Sequence, residues 1–248
     1  MKEVNTKEFD KYVNNFDMND RMIHLKYTHT YRVVDYCRIL AESLNLNEHD
    51  TFLAKTIGLL HDIARFPQAK EFHTFNDTIS FDHGLKGAEI LRENDYIANY
   101  VETEEDKKIV LKAIELHNKK YIEEELDERT KVFCNIIRDA DKLDIMDSQG
   151  IKLDDNSKHF NIKAYEEIKN KELVTYTYVD NDATNILKTL AYIFDFNFKE
   201  SFNQLKVHDI INRKYKLLES SVVKEEVETV EKIINDYIES RINSNKSI

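Results

Sequence analysis

Two adjacent ionisable residues, His61 and Asp62, end the apolar run IGLLHDIARF. At the end of an apolar helix such a pair would be costly to bury without a partner, and a metal ion is a natural one. Neutral imidazole and carboxylate suit divalent Zn, Mn, Fe, Co or Ni, and one aspartate can bridge two cations with its two oxygens. Four more residues stand in comparable settings: His29 in a long apolar-periodic segment, His83 in FDHGLKGAEIL, His117 in KAIELHN and Asp141 in IIRDADKLD. Each interrupts or borders an apolar face. Taken singly, each reads first as a hydrogen-bonded structural residue, because lone histidines on helices are common.

The elements that must position them read as helices. From about 20 to 46, Ile23, Tyr27, Val33, Val34, Cys37, Ile39, Leu40 and Leu44 recur at mainly three- and four-residue steps. A second helix is expected from Glu48 to Arg65, apolar on most sides, with Pro67 closing it. The stretch from Phe66 to His83 has no sustained period and reads as an irregular loop. Further helices are expected at about 84–94, 104–118, 128–146, 161–169, 182–196 and 221–243. Leu173 to Val179 alternates like a short extended segment. Between Asn181 and Leu218 aromatics are dense, which reads first as core packing and otherwise as a wall for a nucleobase.

Four Gly and one Pro in 248 residues leave little to mark a domain boundary, and 41% hydrophobic content suffices for one large core. The expectation is a single all-α domain over 1–248, with a core at about 20–150 and C-terminal helices at about 160–243 packed on it. A formal charge of −11 argues against general affinity for nucleic-acid backbone or anionic membrane. No apolar run is long enough to span a bilayer, and the N-terminus lacks the apolar centre of a secretion signal, so a cytoplasmic protein is expected. Cys37 and Cys134 are too few and too far apart for a disulfide framework or a thiolate zinc site, and read as core.

The ordered set of His, His-Asp, His, His and Asp resembles the HD-domain superfamily of metal-dependent phosphohydrolases. The likeness is closest to small bacterial HD proteins of poorly defined substrate, through LLHDIARFPQ, TFNDTISFDHGLKGAEIL, RDADKLD and AYIFDFNFKESF. It spans about residues 20–215 and implies an HD-type helical bundle. It also implies His29, His61, Asp62 and Asp141 as the common metal ligands, with Asp62 placed to bridge. His83 and His117 match the two extra histidines of binuclear HD proteins. Ala64 stands where many relatives have Gly, a small departure because Ala is the better helix former.

The resemblance therefore implies hydrolysis of a small phosphorylated substrate, a nucleotide, cyclic nucleotide or related phosphoester, by a metal-activated water at two divalent ions. Asp62 belongs to this chemistry directly. Arg65 carries a fork suited to phosphate oxygens, with a salt bridge to a nearby Asp as the alternative. Lys142 would steady a phosphate or neutralise transition-state charge, or else is a solvated helix residue. Asp82 foremost, then Asp77 and Asp144, are candidates to orient a ligand imidazole. Lys86 and Arg138 are weaker candidates for phosphate contact. His24, His49, His73, His159 and His208 fit no ligand position. Two rival readings remain: a di-iron HD-type oxygenase with the same ligands, and a non-catalytic helical module that binds a nucleotide. A homodimer is the commonest arrangement in general, and nothing in the sequence specifies it.

Overall fold

Short polar side chains that accept a hydrogen bond from the first turn open many of the helices. The computed structural model describes residues 3–122, 125–148, 153 and 158–243. Its first helix is α1 (Thr6–Val13), capped by Asn5. Next come α2 (Arg21–Ser43), capped by Asp20, and α3 (Glu48–Leu60), capped by Asn47. Then come α4 (Arg65–Phe72), α5 (His83–Arg92) with Asp82 as its cap, α6 (Glu104–Leu116) behind Thr103, and α7 (Glu128–Asp147). The remainder forms α8 (Ile162–Lys169), α9 (Asp182–Leu190), α10 (Lys199–Val207), α11 (Ile210–Glu219) and α12 (Lys224–Asn243). No strand occurs among the described residues, and the fold is all-α.

The chain forms two compact units, Met1–Asp141 and Lys142–Ile248, with the division falling inside α7. In the first unit α2 lies along α3, and Gly58 lets them approach closely. A Cβ at position 58 would stand 3.0 Å from Cys37 Sγ and 3.2 Å from Val34 Cα. Val33, Leu40, Leu53, Ile57, Leu60, Val110 and Ile137 are buried here, and each such side chain contributes roughly 1.5–3 kcal/mol over its exposed state. In the second unit Ile186, Leu187, Leu190, Phe202, Leu218, Val230 and Ile234 are fully buried. Phe196, Phe198 and Phe202 are all buried, so the aromatics expected between Asn181 and Leu218 serve chiefly as core.

Several expected boundaries move. The helix predicted from Glu48 to Arg65 ends at Leu60, and a new helix starts at Arg65 in place of the predicted loop. Pro67 therefore sits in the first turn of α4 instead of closing a helix. Its missing N–H falls among the groups that have no intrahelical partner anyway. Leu173–Val179 holds a 3-10 turn at Tyr176–Tyr178, not a strand: Thr175 donates from its backbone N–H and its hydroxyl to Glu167, which bends the chain back toward α8. Helices α1, α10 and α11 are not among those expected from periodicity. For α1 the reason is that only Phe9 and Val13 are buried, too few to set a period.

Short as it is, α1 supports the turn between α3 and α4. Phe9 and Tyr12 stack edge-on against Phe66, and Tyr12 donates its hydroxyl to the Ile63 carbonyl at 3.3 Å. Tyr27 and Tyr31 on α2 both donate to Asp10. The turn is thereby braced from outside.

Candidate metal centre

His61 and Asp62 lie in the turn between α3 and α4. His61 closes α3, its N–H still bonded to the Ile57 carbonyl, and tighter three-residue bonds follow from Ile63 to Leu60 and from Arg65 to Asp62. His29 is in the middle of α2, His83 opens α5, His117 directly follows α6, and Asp141 is on α7. All six residues predicted from the sequence belong to the first unit and meet in one place.

They meet as two groups. In the first, His29 Nε2 lies 3.3 Å from His61 Nε2 and 3.1 Å from Asp141 Oδ1. In the second, His83 Nε2 and His117 Nε2 are 3.0 Å apart. Asp62 stands between the groups. Its Oδ2 is 3.3 Å from both His29 Nε2 and His61 Nε2, while its Oδ1 is 3.6 Å from His83 Nε2 and 3.8 Å from His117 Nε2.

The far side of three rings is fixed. His61 Nδ1–H donates to the Gly58 carbonyl at 2.8 Å, and His117 Nδ1–H to the Ile114 carbonyl at 2.7 Å. His83 Nδ1–H donates to Asp77 Oδ2 at 2.5 Å. In the neutral rings this tautomer leaves the lone pairs on Nε2. The lone pairs of His83 and His117 then face each other at 3.0 Å, which is repulsive unless a cation lies between them. Imidazole and carboxylate donors converging this way fit divalent transition metals.

The electrostatics agree. Burial works to raise the carboxyl of Asp62, yet Lys26 and His61 beside it hold it well below the usual carboxylate range. Asp141 is held down in the same way against its burial, by His29 and His61. Burial pushes His83 down to about 4 despite Asp77, and pushes His117 down as well. His61 moves up instead, because Asp62 and Asp141 outweigh its burial. A proton on its Nε2 and a metal ion are alternative occupants of one position.

A family model for the HD domain matches residues 27–146, which takes in all six of these residues, with His29 and Asp141 near its two ends. Residues 27–146 are an HD domain. No curated protein and no solved structure matches the chain. The HD superfamily is one of metal-dependent phosphohydrolases, and the histidine and aspartate groups of this HD domain have the donors to hold metal.

Around the centre of the HD domain, the remaining predicted residues divide. Arg65 takes the salt-bridge alternative: its Nη1 donates to Asp77 Oδ1 and to the Phe75 carbonyl, both at 2.8 Å, and also to Gln68. Its Nε is buried without a hydrogen-bond partner, 3.5 Å from Asp62 Oδ1. Asp77, and not Asp82, orients His83. Asp82 caps α5 through Leu85 N–H and receives Asn118 and Lys119. Lys142 is paired with Asp195 at 2.9 Å, both within the second unit. Asp144, one turn after Asp141 on α7, is buried. Lys86 pairs with Glu89 on the surface of α5. Arg138 is buried and donates to the Leu116, Lys119 and Lys120 carbonyls, closing the end of α6 behind His117. Of the histidines left out, His49 pairs with Asp106, His159 with Glu226, and His73 ends α4 in a left-handed conformation.

Sequence reasoning missed three residues here. Lys26 Nζ donates to Asp62 Oδ2 at 2.6 Å. Gln68 ties Asp77 to Ser80 and the Phe81 carbonyl, and Asn118 donates to both Asp77 and Asp82. Lys26 had a signal, since it precedes His29 by three residues on one helix and so shares its face. Gln68 and Asn118 had none, because the carboxylates they hold, Asp77 and Asp82, lie outside the helices.

Proposed function

We propose that this HD domain hydrolyses a phosphoester of a small phosphorylated substrate at a pair of divalent cations, Mn, Fe, Ni, Co or Zn. One observation carries the reading: the two oxygens of Asp62 are divided between the His29, His61, Asp141 group and the His83, His117 group. Bound there, divalent cations supply charge withdrawal from the phosphoryl oxygens and a water activated for attack near neutral pH. The residues do the rest. Asp62 fixes the spacing of the two groups, and backbone carbonyls lock His61 and His117 to their rotamers. Asp77 does the same for His83 and is itself held by Arg65 and Gln68. The buried Nε–H of Arg65 lies 3.5 Å from Asp62 Oδ1 and sets a fixed positive charge beside the bridging carboxylate. Lys142 is given no part, because Asp195 takes its charge.

The test starts from protein purified without chelator. Elemental analysis of the wild type and of a His83→Ala, His117→Ala double variant is expected to read near two metals and near one. Bis-p-nitrophenyl phosphate and p-nitrophenyl phosphate are then offered anaerobically with Mn, Co or Ni. Turnover supports hydrolysis. Metal-replete protein that turns over neither ester, or that acts only with iron and oxygen, overturns it in favour of the nucleotide-binding or oxygenase reading.

A further inference from the structure

We propose that Lys26 is the cation of the bridging carboxylate in the metal-free protein and the ligand of a phosphoryl oxygen in the loaded one, so that a single ammonium couples metal binding to anion binding. The inference rests on the hydrolase reading for the identity of the anion, and on contacts around Asp62 for the rest.

Lys26 Nζ sits 2.6 Å from Asp62 Oδ2, the same oxygen that faces His29 and His61. A divalent ion held by that oxygen and those imidazoles repels an ammonium so close to it, and the carboxylate loses its appeal as a partner once its charge is shared. The ammonium must then move, and it has little room to leave. The side chain is 13% exposed, and its Nζ lies 5.3 Å from the centre of the Phe75 ring, whose face attracts a cation wherever the carboxylate does not. A flexible four-carbon stem with three donors lets Lys26 swing while staying beside the centre.

Charge then selects the new partner. Asp77 is committed to Arg65 and His83, so it does not attract Lys26. Two carboxylates, two divalent cations and one lysine make the loaded centre net positive, and the group that restores the balance is an anion bound at the metals. In the proposed reaction that anion is the phosphoryl group. Arg65 does not fill the role, since its Nη1 is spent on Asp77, Gln68 and the Phe75 carbonyl.

The test uses the full chain and calorimetric titration with Mn2+, with and without inorganic phosphate, for the wild type, Lys26→Met and Lys26→Arg. Without phosphate, Lys26→Met is expected to bind Mn2+ about tenfold more tightly, because a competing charge is gone. Phosphate is expected to tighten Mn2+ binding several-fold in the wild type and in Lys26→Arg, and not in Lys26→Met. Unchanged or weaker Mn2+ binding by Lys26→Met, or an undiminished phosphate effect, overturns the proposal. Should Lys26→Met fail to fold, as read by circular dichroism, Lys26→Gln replaces it with the same expectations. None of these readouts needs turnover. Coupling without phosphoester hydrolysis keeps Lys26 as an anion ligand and removes the hydrolase reading, whereas hydrolysis without coupling removes Lys26 alone.

Discussion

At the scale of single residues, the candidate centre is braced by groups that lie outside the two histidine and aspartate clusters. Asp77 holds His83 Nδ1 and is anchored by Arg65, Gln68 and Asn118. Replacing such a partner of a metal-binding histidine typically lowers metal affinity 10–100-fold, so Asp77→Asn is expected to weaken binding by about that factor in a metal titration while the fold stays intact. Asp82→Ala, by contrast, is expected to act on stability and not on metal affinity, since Asp82 caps α5. Loss of that cap is expected to cost about 1 kcal/mol, read as a lower denaturant midpoint.

Helices set the distances between these groups through close packing at their ends. Gly84 follows His83, and a Cβ there would stand 2.7 Å from Asn118 Oδ1, 2.9 Å from the Ile114 carbonyl and 3.0 Å from the Glu115 carbonyl. The two carbonyls belong to the backbone of α6 and cannot turn aside. Gly84→Ala is therefore expected to push α5 off α6, destabilise the protein by about 1–3 kcal/mol and lower the metal count by separating His83 from His117. The start of α6 carries a pH dependence of its own. Burial works to raise Asp106, but bonds from Thr103, His49 and Arg129 hold it below the ordinary range. A carboxyl lowered in the folded state adds stability that is complete above its unfolded value, about 4, and is lost as pH falls toward the folded value. Asp106→Asn should thus cost about 1 kcal/mol at pH 7, and the gap to wild type should narrow in unfolding curves taken below pH 4.

For the whole molecule, all six converging residues fall within Met1–Asp141, and among the described residues no helix is long and apolar enough to cross a membrane. A ligand that binds only the folded state stabilises it by about 2.7 kcal/mol at a hundred times its dissociation constant. Adding Mn2+ to chelator-treated protein should raise the melting temperature. In hydrogen exchange, the gain in protection should concentrate in α2, α3, α5 and α6 and in the first part of α7. A gain spread evenly over α8 to α12 as well would show that metal stabilises more than the unit that holds its ligands.

The sequence by itself determined the helical class, because apolar periodicity assigns faces, and its resemblance to the HD family singled out the six residues that come together. Only the tertiary structure decided which oxygen of Asp62 faces which histidines, that Asp77 and not Asp82 holds His83, and that Arg65 and Lys142 are engaged by Asp77 and Asp195. Lys26 belongs with these, its partner 36 residues away on another element. Periodicity says which side of a helix turns inward, but a hydrogen bond depends on the last ångström of two side chains from separate elements, and that distance exists only once the elements have packed.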